Sequence, residues 1–229
     1  MNSEMGITRR GFMGAAIAFV AVAGLGYWGY SAYMKRELRS AVAVLLKDAS
    51  GRLREALAIE TGPSPAARLQ AAKMLDDFAA ATDKTIGQFK RLELGRDRAF
   101  TDNADTYLVT VREIFNKQAA SHRLALLHAE SVQALRDHMS TDNRTGEWVQ
   151  QALRAKVRAE KDFRDYRFAV ATYGTLLGAF PITQIKIAPF VEPSALVEEG
   201  SLAKARERAI ESSAQAAAVM EKVRQLKIQ

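Results

Sequence analysis

Cysteine is absent from the sequence, which excludes a disulfide framework, a thiolate metal site and a cysteine nucleophile. The absence does not speak to compartment, since reducing and oxidising spaces both tolerate it. Proline is scarce and confined to two places: Pro63 and Pro65, then Pro181, Pro189 and Pro193. Because proline breaks helix interiors, the long proline-free stretch between the clusters is open to extended helices. No run alternates apolar and polar residues as a half-buried strand does, and no glycine-rich loop has the spacing of a phosphate cradle. Charge is missing altogether from two segments, 11–34 and 168–185.

Motifs of catalysis and cofactor binding are missing too. His122, His128 and His138 are the three histidines, and no two have the four-residue spacing of a helical zinc pair. No Glu-x-x-His occurs, which disfavours a di-iron bundle, and no Cys-x-x-Cys-His offers a haem attachment. The methionines are dispersed, as gap-fillers in a core are. Asp76-Asp77 and Glu198-Glu199 are adjacent pairs that point in different directions on a helix, so neither builds an acid–base dyad. Ser212-Ser213 has no histidine nearby in sequence to activate it. No catalytic residue, metal site or cofactor is expected, and His122, on an apolar helix stripe, reads as a buried, hydrogen-bonded histidine.

What is present begins with residues 11–34. A helix of that length rises about 36 Å, enough to span the roughly 30 Å hydrocarbon core with some tilt. Its far end gathers Tyr27, Trp28, Tyr30 and Tyr33, followed by Lys35 and Arg36. Amphipathic rings backed by cations suit the lipid–water boundary. These observations predict a cytoplasmic tail over 1–10, a transmembrane anchor over 11–34 and an extracytoplasmic domain over 35–229. The flanking positive charges are nearly balanced, so they do not fix the orientation alone.

The residues before the anchor bear on that. Thr8-Arg9-Arg10-Gly11-Phe12-Met13 resembles the bacterial twin-arginine export signal: a hydroxyl residue, two arginines, a free position, Phe and a large aliphatic. Arg9, Arg10 and Phe12 carry the resemblance, which covers about six residues, and Met13 stands where Leu is commoner. Read as an export signal or as a plain basic flank, the pattern leaves the N-terminus in the cytoplasm of a bacterial cell and the main domain in the periplasm. Cleavage after Ala21-Val22-Ala23 is the rival fate. The apolar run continues past that point into the aromatic cluster, which favours an uncleaved anchor.

Beyond the anchor the pattern is helical. Leu38, Val42, Leu45, Ala49, Leu53 and Leu57 recur at helical spacing until Thr61-Gly62-Pro63 stops them. Ser64-Pro65 opens a second helix with Leu69, Ala72, Leu75, Phe78, Thr82, Ile86 and Phe89 on one face, and Leu94-Gly95 reads as a turn. The third and longest stripe runs from Ala104 through Leu108, Val111, Phe115, Ala119 and His122 to Met139. A fourth starts near Gly146 with Trp148, Val149, Leu153, Val157 and Phe163 inward. The last, from about Ser201, is a narrow alanine-rich seam through Leu202, Ala205, Ala209, Ala216, Met220, Val223 and Leu226. Short turns make successive helices antiparallel neighbours, so the fold expected is all-α: an elongated antiparallel bundle of four or five helices on one membrane helix.

The uncharged segment 168–185, and the residues to Val191, are too apolar for an exposed loop. They read as a buried helix end and connector, with a partner- or membrane-facing patch and a second membrane span as alternatives. Phe180, Ile182, Ile185, Ile187 and Phe190 are the docking candidates on the second of these. The net charge of +7 favours lipid head groups or acidic partners over nucleic acid, because no basic run is interleaved with aromatics. The expectation is a membrane-anchored scaffold or interaction protein, an accessory subunit of a bacterial inner-membrane complex, with membrane lipid and membrane or periplasmic proteins as partners and self-association open. The alternative is an extracytoplasmic ligand-binding bundle acting through a separate signalling partner, since tethered bundles resemble chemoreceptor sensor domains. A deep polar cavity between the third and fourth helices would favour that alternative.

Overall fold

The computed structural model describes the backbone of residues 9–60, 64–92, 94–141, 145–226 and 228, with side chains from residue 30 onward except that of residue 96. Five helices account for nearly all of it: α1 (Arg9–Leu57), α2 (Pro65–Phe89), α3 (Arg98–Met139), α4 (Gly146–Ile187) and α5 (Glu199–Arg224). Short 3-10 turns at Leu94–Asp97, Ala188–Phe190 and Pro193–Ala195 complete the chain, and no strand occurs among the described residues.

The helix boundaries follow local chemistry. Pro65 takes the first position of α2, where a missing N–H costs nothing. Thr145 caps α4 by accepting from the Trp148 amide at 3.2 Å. The Trp148 indole donates in turn to Thr141 Oγ1 at 2.8 Å and to the His138 carbonyl at 3.1 Å, and its ring stacks on His138. These contacts fix the tight turn that sends α4 back along α3. At the other end α4 runs straight through Pro181 to Ile187, although proline leaves the Leu177 carbonyl without its helical partner. Where a helix end and a connector were expected, the sequence forms two further turns of helix. Side chains of Tyr173, Leu177, Phe180 and Ile187 buried in the core hold them there.

Ion pairs and core contacts set the directions. Asp76 pairs with Arg123 and Asp83 with Arg112, so α2 is antiparallel to α3. Tyr107 of α3 packs on Phe180 of α4 while His138 stacks on Trp148, and Tyr166 of α4 bonds Ser212 of α5 while Lys156 bonds the Arg224 carbonyl, so both pairs are antiparallel as well. Ser50 meets Tyr107 and the Ala56 carbonyl meets Gln118, so α1 runs parallel to α3. With 42 residues each, α3 and α4 are about 63 Å long. The bundle is therefore an α3–α4 hairpin with α1, α2 and α5 laid along it.

The larger core lies at the end where α1 enters. Leu46, Leu53, Leu75, Phe89, Phe100, Tyr107, Phe115 and Phe180 are all but sealed from solvent there, each contributing about 1.5–3 kcal/mol of burial. Ser50 Oγ lies 2.7 Å from the Tyr107 hydroxyl and 2.6 Å from the Ala195 carbonyl, which pins the 3-10 connector to α1. Burial raises the Tyr107 hydroxyl to about 12, against the smaller lowering effect of the Ser50 bond. Gln184 clamps the same connector by exchanging two hydrogen bonds with the Val197 backbone. Toward the α3–α4 turn the core thins to three helices, where Val132, Leu135, Ala159, Phe163, Met220 and Val223 meet.

Four residues placed inward by periodicity are exposed: Leu69, Ala129, Leu153 and Val157. In the three-helix half, Ala152, Ala159 and Phe163 suffice to fill the narrow α4 seam, leaving Leu153 and Val157 on its outer side. Leu69 belongs to the start of α2, where Ala71 and Ala72 take the packing positions. In α1, Leu46 is sealed and Leu45 is only partly buried.

Candidate functional site

The cavity of the molecule comes from unequal helix lengths. Within the bundle α1 runs only from Leu38 to Leu57, about 30 Å, while α3 and α4 continue for the same distance again. Among the described residues, no helix replaces α1 beyond its end. The space left is a cleft of about 750 Å³ between the end of α1, the start of α2 and the middles of α3, α4 and α5. A second cleft of about 390 Å³ adjoins it toward the α3–α4 turn, sharing Arg68, Tyr166, Ser212 and Gln215.

Its lining mixes polar and apolar residues, and part of the polarity is unmatched. The Tyr173 hydroxyl, Gln118 Oε1 and His122 Nε2 are buried atoms without a hydrogen-bond partner, and all three belong to residues that line the larger cleft. His128 Nδ1 has the same standing in the smaller one. Buried polar groups are nearly always paired, because leaving one unpaired costs about 1–3 kcal/mol. Gln118 donates its Nε2 to the Ala56 carbonyl at 3.0 Å, which fixes the amide so that Oε1 is left as an acceptor.

The charges are arranged unevenly. Arg208 is occupied, bonding Glu60 at 3.1 Å and the Leu57 carbonyl, so it closes the end of α1. Arg68 forms no ion pair or side-chain hydrogen bond among the described residues. Burial first, and the Arg68 charge second, lower His122 to about 4, so its imidazole is neutral at pH 7. Burial pushes the Tyr173 hydroxyl far up, against a smaller opposite effect from Arg208. The expectation of a hydrogen-bonded His122 is thus corrected: the ring lines a cleft, and Nε2 has nothing to bond.

The residues singled out from sequence lie elsewhere. The side chains of Arg9, Arg10, Phe12, Tyr27 and Trp28 fall outside the described residues. Tyr30, Tyr33, Lys35 and Arg36 are exposed on α1 before it enters the bundle. The five docking candidates are split. Phe180 and Ile187 are fully buried core residues, because α4 continues as a helix and turns them inward. Phe190 is partly buried against Phe100, with the Arg39 guanidinium 4.9 Å above its ring. Arg39 also pairs with Asp97 at 2.6 Å, which ties the point where α1 enters to both neighbouring 3-10 turns. Only Ile182 and Ile185 are open to solvent, 63% and 67% exposed. Phe168, at 76%, joins them on the outer side of α4.

That strip gives α4 an apolar excess. Among the described residues, Gly146–Phe190 is long and apolar enough to cross a membrane by length and composition. Its other side is packed on α3 and α5 through Tyr173, Leu177 and Phe180, which is the situation of a core helix.

Comparison with protein-family models, curated proteins and solved structures gives no match.

Proposed function

We propose that this chain is a membrane-anchored interaction protein. The apolar segment 11–34 spans the bacterial inner membrane as an uncleaved anchor, with its N-terminus in the cytoplasm. The bundle stands in the periplasm, where it binds and positions other proteins as an accessory subunit of a membrane complex. The resemblance of the Arg9-Arg10-Gly11-Phe12 stretch to a twin-arginine signal supports the orientation. The aromatic and cationic residues from Tyr27 to Arg36 support the anchor.

The observation that carries the interaction reading is the apolar outer side of α4. Phe168, Ile182 and Ile185 stand in solvent within a segment that has no charge at all. Single exposed apolar residues are ordinary, but an uncharged helix side of this length marks contact surface. Purification of the full chain from native membranes in mild detergent tests it. A stoichiometric companion protein is expected, and it is lost from the variant carrying Ile182→Asp and Ile185→Asp. Recovery of the chain alone, or a companion indifferent to both substitutions, contradicts the reading.

The polar cleft favours a second reading, in which the periplasmic bundle also binds a small molecule and reports it to a separate partner. A concave pocket of this size with several polar groups on one space is a setting in which ligand sites occur.

A further inference from the structure

The four unpartnered atoms are the structural feature least explained by folding. A bundle core gains from apolar side chains at such positions, so polar ones persist at a net cost. Three of them, on Gln118, His122 and Tyr173, belong to residues that line one cleft between the successive helices α3 and α4. Tyr173 and Gln118 are each more than nine-tenths buried, at 3% and 6% exposure, each carries an unmatched atom, and both residues line the cleft.

Their chemistry is complementary to a definable molecule. Arg68 offers a guanidinium that has no carboxylate partner among the described residues and presents a fork suited to a carboxylate or phosphate. The Tyr173 hydroxyl is a donor able to join it. Gln118 Oε1 is an acceptor, held in place by the bond its amide nitrogen donates to the Ala56 carbonyl, so it calls for an O–H or N–H on the ligand. His122 Nε2 sits near Arg68 on a neutral ring and supplies one further donor or acceptor. Leu57 and Val170 add apolar wall.

We infer that this cleft binds a small organic anion, a carboxylate or phosphate monoester that also carries a hydroxyl or amino group, held by Arg68 and Tyr173 at the anionic end and by Gln118 at the donor end. The inference deepens the ligand-binding reading and is independent of the anchor's orientation and of any partner protein on α4. In detergent its failure leaves those two claims as they were.

The test uses the detergent-solubilised full chain and calorimetric titration with amino acids, hydroxycarboxylates and phosphate monoesters, each beside its neutral ester or amide. At least one anion is expected to bind with Kd below about 1 mM, while its neutral analogue does not. Whether carboxylates or phosphates give the signal identifies the source of the charge. Arg68→Ala, at a half-exposed position, is expected to weaken that binding at least about tenfold. Tyr173→Phe is expected to weaken it too, yet to leave the melting temperature without ligand unchanged or higher. A purely structural tyrosine would lower it. Absence of binding across the panel overturns the inference, as does a bound anion whose affinity is indifferent to both substitutions.

Discussion

Tyr173 and His122 show how a buried polar side chain separates folding from use. The Tyr173 hydroxyl has lost its water and gained no partner. Tyr173→Phe removes that debt without changing the ring, and should stabilise the unliganded fold by about 1 kcal/mol, read as a shifted urea midpoint with an unchanged slope. A lower midpoint would mean that the hydroxyl has a partner after all. His122 makes a pH prediction. Unfolded it titrates near 6.5, whereas folded it is held down at about 4, chiefly by burial and then by Arg68. Between those values the unfolded chain takes up a proton that the folded one refuses. Stability should therefore fall as pH drops from 6.5 to 4, by up to roughly 3 kcal/mol, and this group adds no further loss below that. His128 is lowered as well, again chiefly by burial, so the wild-type slope contains both. The difference between wild type and His122→Asn isolates the first. Equal slopes for the two proteins would contradict the account. From the sequence His122 was legible as a residue on an apolar stripe, but the stripe does not say that α1 would end beside it. Gln118 and Tyr173 were not singled out: one lies beside the named positions of the third stripe and the other inside the uncharged segment 168–185, and neither place says what faces them.

At the scale of single helices, α4 carries the clearest contrast. Phe180 is sealed against Tyr107 in the core, while Ile182, two residues on, is 63% exposed. Both are apolar and both lie in one uncharged segment, so composition alone treats them alike. Burial distinguishes them: Phe180→Ala should cost about 3–5 kcal/mol, and Ile182→Asp should stay within about 0.5 kcal/mol. Urea denaturation of the two variants checks this, and comparable losses would place Ile182 in a packed interface. Helix starts and stops were legible where caps and prolines mark them, at Ser64-Pro65 and at the polar stretch beginning Ser140. The run of α4 through Pro181 was not, because tertiary packing of Phe180 and Ile187 outweighs the local penalty of a proline. Leu153 and Val157 were misplaced for a related reason. A helical stripe gives a direction but not the number of neighbours, and three-helix packing needs fewer inward positions than five-helix packing.

For the whole molecule, α1 belongs to two parts at once. It is one helix from Arg9 to Leu57, about 73 Å long, and its second half is wedged into the principal core through Leu38, Val42, Leu46 and Leu53. The apolar first half therefore has no flexible linker between it and the bundle. On the reading proposed above, the bundle is held rigidly over the membrane, with Arg39, Asp97 and Phe190 at the junction. Ile182 and Ile185 then lie toward the junction end of α4, and the polar cleft lies farther out, beyond the end of α1. The cysteine-free sequence lets a single engineered thiol report sidedness without background. Ser140→Cys puts one on the exposed α3–α4 turn, and Ser3→Cys puts one in the N-terminal tail. Labelling of intact spheroplasts with a membrane-impermeant maleimide, before and after lysis, should mark Ser140→Cys at once and Ser3→Cys only after lysis. The reverse pattern, or protection of both sites until lysis, would contradict the anchored periplasmic bundle.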